Sequence, residues 1–141
     1  MVQRTNVQVF IYCKNPSLKV LILKRTPERS GYWQPVCGGV EAGEDLVETA
    51  LREVWEETGI KTIKSISDLE YTFTYKETKN GVLMDMQDFC FAVEIENIPD
   101  VKISSEHEEY KWCSYVGAKD YLKWEYSLIA LDKLISNISI S

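Results

Sequence analysis

Apolar and polar positions alternate between two rhythms along the chain. "TNVQVFIYC" (5–13) and "LKVLILKR" (18–25) are β-branched, aliphatic and aromatic, and predict two strands. "NPS" between them, with its Asn15-Pro16 step, predicts a turn, so the pair is expected as a hairpin. "TPERSGYWQP" (26–35) predicts a loop, and "VCGGVEAGE" (36–44) a short, glycine-rich, partly extended stretch. From Asp45 to Thr58 the rhythm becomes helical, with Leu46, Val47, Ala50, Leu51 and Val54 at helical spacing and Gly59 as the stop. Two more strands are predicted in 61–77 and 82–96, joined through an Asn80-Gly81 turn. A polar loop (97–109) leads to a short strand, "YKWCSYV" (110–116). The segment 117–138 predicts one helix, with Leu122, Tyr126, Ile129, Leu134 and Ile138 among its apolar positions. One early and one late helix among strands predict an α/β fold, a mixed sheet between covering helices. A chain of 141 residues without repeat, low-complexity tract or linker is expected to be a single domain, 1–141.

Composition narrows the picture only a little. Apolar residues make up 45% and charged residues 27%, as in a soluble globular protein. Sixteen basic against twenty-two acidic residues leave −6, which argues against a nucleic-acid duplex as partner. A small polyphosphate needs only a local cationic pocket or a metal and stays open. Cys13, Cys37, Cys90 and Cys113 form no CxxC pair, and three of them sit in apolar or aromatic runs. Buried, reduced thiols are expected, and with them a cytoplasmic protein. No apolar run has the length of a membrane span, and residues 1–10 lack a signal-peptide core.

The early helix carries an unusual charge pattern. On a wheel at about 100° per residue, Leu46, Val47, Ala50, Leu51 and Val54 form the arc expected to face the core. Glu53, Glu56 and Glu57 fall on the adjacent arc, at the edge of the buried face. Like charges at i and i+4 repel, and partial burial raises that cost. A hard divalent cation would reverse the sign, because converging carboxylates are the donors that Mg²⁺ or Mn²⁺ prefer. A solvated acidic face is the competing reading of the helix alone.

The preceding stretch changes that balance. Residues 38–60, "GGVEAGEDLVETALREVWEETGI", satisfy G-x5-E-x7-R-E-U-x-E-E-x-G-U, where U is aliphatic. Gly38, Glu44, Arg52, Glu53, Val54, Glu56, Glu57, Gly59 and Ile60 all match without insertion. The chain thereby resembles the Nudix hydrolases. The resemblance implies a Nudix-type α/β/α sandwich and hydrolysis of a nucleoside diphosphate linked to another group. It implies that Glu53, Glu56 and Glu57 ligate a divalent metal, Mg²⁺ first and Mn²⁺ second. A backbone carbonyl, from Cys37 or Gly38, often adds a ligand in this family. Glu44 and Arg52 are assigned to tying the glycine loop to the helix, with Glu44 also facing the helix N-terminal amides. Glu53 is one proton acceptor consistent with the pattern. A late glutamate often contributes too; of Glu106, Glu108 and Glu109, Glu106 is favoured because "EHEEYKW" resembles the late segment of one Nudix branch.

For the substrate, Lys24, Arg25 and Arg29 precede the glycine loop and supply cations for phosphate. Gly38 and Gly39 allow close backbone approach to a ligand. Tyr32 and Trp33 either stack on a base or pterin ring or pack beneath the loop. "GYWQPVCGGVEAGE" with "EHEEYKW" looks most like dihydroneopterin triphosphate and deoxynucleoside triphosphate pyrophosphohydrolases, which release pyrophosphate and a monophosphate. Dinucleoside polyphosphate hydrolases rank second, and a Nudix-fold binding module without turnover is the non-enzymatic alternative. His107, the only histidine, is expected to be a loop residue rather than a catalyst. The small relatives include monomers and homodimers, and the sequence favours neither.

Overall fold

The structure is a computed structural model and describes residues 2–140. Its centre is a seven-stranded mixed sheet. The strands are β1 (Arg4–Cys13), β2 (Lys19–Arg25), β3 (Trp33–Gln34), β4 (Val36–Gly39), β5 (Ser65–Lys79), β6 (Val82–Ile95) and β7 (His107–Cys113). The path β3-β2-β1-β6-β5 forms the body, with β4 paired to β1 and β7 to β2. β1 is the pivot. One edge runs parallel to β6 along its whole length; the other is shared, with β4 opposite residues 6–9 and β2 opposite Tyr12 and Cys13.

Strict alternation along β1 separates two cores. Val7, Val9 and Ile11 point to one face, where Ala50 and Val54 of helix α1 (Leu46–Thr58) cover them. Phe10 and Tyr12 point to the other, under Ala118 of α2 (Tyr115–Tyr121) and Ala130, Leu131 and Leu134 of α3 (Glu125–Ile140). Each large side chain buried this way contributes about 1.5–3 kcal/mol. The result is the α/β/α sandwich with a mixed sheet between its helices.

Several boundaries differ from the sequence reading. Asp45 is the N-cap of α1 and closes a capping box with Glu48, so Glu44 does not serve the helix amides. The late helix is two helices. Leu122 turns extended, bridges to Trp33 through the backbone, and buries its side chain in the second core. That core contact outweighs the helical propensity of 117–138. The 97–109 loop ends early: residues from His107 onward pair with β2 as an edge strand, whose open side tolerates Glu108 and Glu109 in solvent. Within 26–35, Pro27–Arg29 form a single 3₁₀ turn, and Trp33–Gln34 join the sheet as β3. The expected Asn80-Gly81 hairpin turn is present, both residues at positive φ. Among the described residues no helix is long and apolar enough to cross a membrane. All four cysteines are free thiols, and Cys13, Cys90 and Cys113 are buried.

Candidate active site

α1 does not lie on the sheet as the wheel predicts. Val47 and Leu51, expected in the core, are 42% and 36% exposed. Glu53 and Glu57 are instead 8% and 2% exposed. The helix is turned about Ala50 and Val54 so that these two carboxylates fall inside the buried arc, while Glu56 stays in solvent. Binary patterning alone places the apolar side chains inward; here the acids take that place, at a considerable desolvation cost.

The opposing surface is β4. Gly38 pairs with Val7 and therefore faces α1. Its missing side chain makes the room: a Cβ there would lie 1.5 Å from Glu53 Oε2. Cys37 and Gly39 face the opposite side of the sheet, where Gly39 packs against the Arg4 guanidinium. Arg52 binds the loop to the helix. It donates to both Glu44 oxygens (Nε to Oε2 2.7 Å, Nη2 to Oε1 3.0 Å), to the Gly39 carbonyl (2.9 Å) and to Glu56 (3.0 Å). Its nearest approach to Glu53 is 3.5 Å. Donation from Arg52, then from the Glu41 amide, lowers the Glu44 pKa to about 2.

Glu57 is the anomaly. Among the described residues neither of its oxygens has a hydrogen-bond partner. Burial first, then the charges of Glu53, Glu106 and Glu56, raise its pKa to about 9, with the Cys37 backbone pulling weakly the other way. Burial also raises Glu53 to about 7, opposed by Arg52 and reinforced by Glu56 and Glu106. His107 Nε2 stands 3.6 Å from Glu57 Oε1 and 3.1 Å from Gln34 Nε2. Burial lowers its pKa to about 4, so near neutral pH a neutral imidazole faces a protonated carboxyl and the contact is no ion pair. His107 is thus a buried strand residue at the site, not the loop residue expected.

A cleft of ≈ 1560 Å³ joins these groups. It gathers Arg25, Arg29, Tyr32, Cys37, Gly38, Gly39, Arg52, Glu53, Glu56, Glu57 and Glu106 from the sequence reading. Arg29 meets Glu106 at 3.3 Å, and Arg25 donates to the Tyr32 hydroxyl. Trp33 is not among its lining residues. Its ring packs edge-on against Tyr121 at 5.2 Å and against the second core, because β3 turns it toward α2. Lys24 is also outside, paired with Glu108 at 2.9 Å. The cleft is further lined by Asn6, Gln8, Tyr75, Asp88 and Trp124, which the sequence did not mark, and by Tyr126, expected only as an apolar position of the late helix.

An orphaned, protonated carboxyl beside two further glutamates suits a hard cation, which would supply the missing partner and displace the proton. As placed, no three His, Cys, Asp or Glu side chains among the described residues are gathered tightly enough to hold an ion. Arg52 instead occupies Glu56 and approaches Glu53. The donor set fits Mg²⁺ in chemistry.

Residues 4–131 match the NUDIX domain family model. The chain belongs to this family of hydrolases, which act on diphosphate bonds of nucleotide-like substrates, and is a Nudix pyrophosphohydrolase. It is 31% identical over 144 residues to the dihydroneopterin triphosphate diphosphatase of Haemophilus influenzae, covering 94% of this chain and 88% of that one. It is 31% identical over 123 residues to the RNA pyrophosphohydrolase of Pelagibacter ubique, covering 79% and 78%. It is 32% identical over 112 residues to an octanoyltransferase of Myxococcus xanthus, covering 79% of this chain but only 31% of that longer protein. The solved dihydroneopterin triphosphate pyrophosphohydrolase of E. coli superposes with a TM-score of 0.79 at 25% identity, over 97% of this chain and 99% of that one.

Proposed function

We infer that this protein hydrolyses a diphosphate linkage in a nucleoside or pterin polyphosphate, with Mg²⁺ as cofactor and Mn²⁺ as substitute, releasing pyrophosphate and a monophosphate. The observation that carries this reading is Glu57: a carboxyl 2% exposed, without a partner among the described residues, lining a cleft that also holds Arg25 and Arg29. Glu53, Glu56, Glu57, Glu106 and the Cys37 carbonyl are the groups that would hold the ion. When bound, it neutralises phosphate oxygens and lowers the pKa of an attacking water.

The chain's own residues divide the remaining work. Arg25 and Arg29 offer guanidinium groups to the phosphates. Gly38 and Gly39 line the same cleft with backbone, their side-chain space being taken by Glu53 and the Arg4 guanidinium. Tyr32 presents its ring to the cleft. Arg52 holds Glu44 and the Gly39 carbonyl, and so fixes β4 against α1. Glu53 and Glu106 are the two carboxylates available to accept the proton of the water.

The relationship to an RNA pyrophosphohydrolase supports a second substrate, a 5′-triphosphate end of RNA, and dinucleoside polyphosphates are the third. A magnesium-supplemented panel of nucleoside triphosphates, dihydroneopterin triphosphate, dinucleoside polyphosphates and triphosphorylated RNA, with products identified by mass, tests the reading. Pyrophosphate with a monophosphate from one class is the expected result. Binding without turnover across the panel would make the chain a binding module.

A further inference from the structure

The charged stretch Glu106–Glu109 enters the sheet beside the acids of α1, and one irregularity in β7 selects the side chain that turns inward. Trp112 pairs with Leu21 and Tyr110 with Leu23, on the face of the sheet that α1 covers. Strict alternation would bring Glu108 to that face next. The register slips instead between Lys24 and Arg25: Glu109 lies opposite Lys24, and His107 opposite Arg25. The slip is a β-bulge, which re-aims a side chain by leaving one residue unpaired. Glu108 is that residue, and it meets Lys24 at 2.9 Å. His107 takes the inward place. A further carboxylate there would have added to the repulsion among Glu53, Glu57 and Glu106; the bulge sets an imidazole in its stead.

The ring is held firmly. Its side chain is 1% exposed, against 2% for that of Glu57. Gln34 of β3, opposite Leu23, reaches across β2 to it, with Gln34 Nε2 and His107 Nε2 3.1 Å apart. The Gln34 amide serves either tautomer: its nitrogen donates to a bare ring nitrogen or, turned over, its oxygen accepts from an N–H. Nδ1 has no hydrogen-bond partner among the described residues. A buried polar ring with one valence open destabilises the strand, and an apolar residue would pack without that penalty. What the ring gains lies at Nε2. That atom stands 3.6 Å from Glu57 Oε1, just beyond hydrogen-bond range, so a small rotation of the carboxyl closes the pair. Glu57 is otherwise unrestrained at its tip, since neither oxygen has a hydrogen-bond partner among the described residues.

We propose that His107 is the positioning residue of Glu57: set behind Oε1 by the bulge and by Gln34, its Nε2 hydrogen-bonds that oxygen and leaves Oε2 to face the cleft. This assignment rests on the reading of Glu57 as a ligand of a divalent ion and adds what orients it. In this role His107 touches neither substrate nor ion and acts through Glu57 alone. A carboxylate fixed in advance loses less freedom when it binds, which is how such a partner raises affinity.

The test is titration with Mn²⁺, the free ion read by electron paramagnetic resonance, and needs no turnover. It compares the native protein, Glu57→Gln, His107→Phe and His107→Gln, each first melted in EDTA to show that it folds. His107→Phe keeps a ring and loses Nε2, and is expected to bind Mn²⁺ about 10- to 100-fold more weakly, the range usual for a partner that orients a metal ligand. His107→Gln sets an amide nitrogen near the place of Nε2 and is expected to recover most of that loss. In steady-state kinetics at saturating Mn²⁺, His107→Phe is expected to lower kcat and leave KM within about twofold. Native affinity in His107→Phe, with Glu57→Gln weakened, overturns the assignment alone. So does an equal loss in both His107 variants, which would mark packing and nothing more. Native affinity in Glu57→Gln, or no binding of Mn²⁺ to the native protein, overturns the reading of Glu57 as a ligand and this assignment with it. If His107→Phe does not fold, Gln34→Leu decides: it frees the ring, so weaker Mn²⁺ binding supports the assignment and native affinity overturns it.

Discussion

Gly38 lies so close to Glu53 that a single added carbon would occupy the place of the carboxylate, 1.5 Å from Oε2. The glycine strand and the acidic helix are therefore built to fit each other. Gly38→Ala is expected to push Glu53 out of the cleft. The clash should cost about 1–3 kcal/mol of stability. The displaced acid should cost on the order of 10² in kcat, since misplacement by about 1 Å has that effect. Thermal melts and steady-state kinetics on one preparation check both. An alanine variant with native kcat would show that Glu53 need not stand where it does.

The buried acids also predict an unusual pH dependence. Burial raises Glu57 to about 9 and Glu53 to about 7, from an ordinary value of 4.5. Above pH 4.5 the unfolded chain releases these protons first, while the folded chain still holds them. Stability therefore falls as pH rises through these two acids; His107, held at about 4 against an ordinary 6.5, offsets part of the fall up to about 6.5, and the decline continues on to about 9. Thermal midpoints in EDTA should decline across that window. Mg²⁺ should flatten the decline, and Glu57→Gln should reduce it. A midpoint that climbs from pH 5 to 8 in EDTA would contradict the assigned protonation.

Trp33 separates packing from recognition. Its contact with Tyr121 and the second core predicts that Trp33→Leu lowers stability by about 1–3 kcal/mol. KM for the best substrate should stay within about twofold. A large rise in KM with an unchanged melting temperature would return Trp33 to the substrate side.

The strands, α1 and its stop at Gly59 were legible because their periodicity, turn residues and cap signals agree with one another. The glycine–glutamate pattern also marked the acids of the cleft. Its polar lining from β1 and β6 was not legible. Asn6, Gln8 and Asp88 interrupt otherwise apolar strands at alternate positions, a signal of a polar row on one face. Only the β1–β6 register shows that Asn6 and Asp88 meet. His107 was hidden by its acidic neighbours, which pair at a sheet edge where charge is tolerated. The break at Leu122 has no proline or glycine to announce it and comes from a long-range contact with Trp33. Val47 and Leu51 misled the wheel, because a helix wheel gives the arcs but not the burial of a carboxylate that a ligand would compensate.

The most direct test is Glu57→Gln, assayed for pyrophosphate release from the preferred triphosphate with Mg²⁺ present and after its removal by EDTA. The native enzyme should lose turnover in EDTA and regain it with Mg²⁺. The variant should fold at least as stably in EDTA, since it no longer buries an unpartnered acid, yet fall on the order of 10²–10³ in kcat. Native turnover by Glu57→Gln at the same Mg²⁺ would contradict the account.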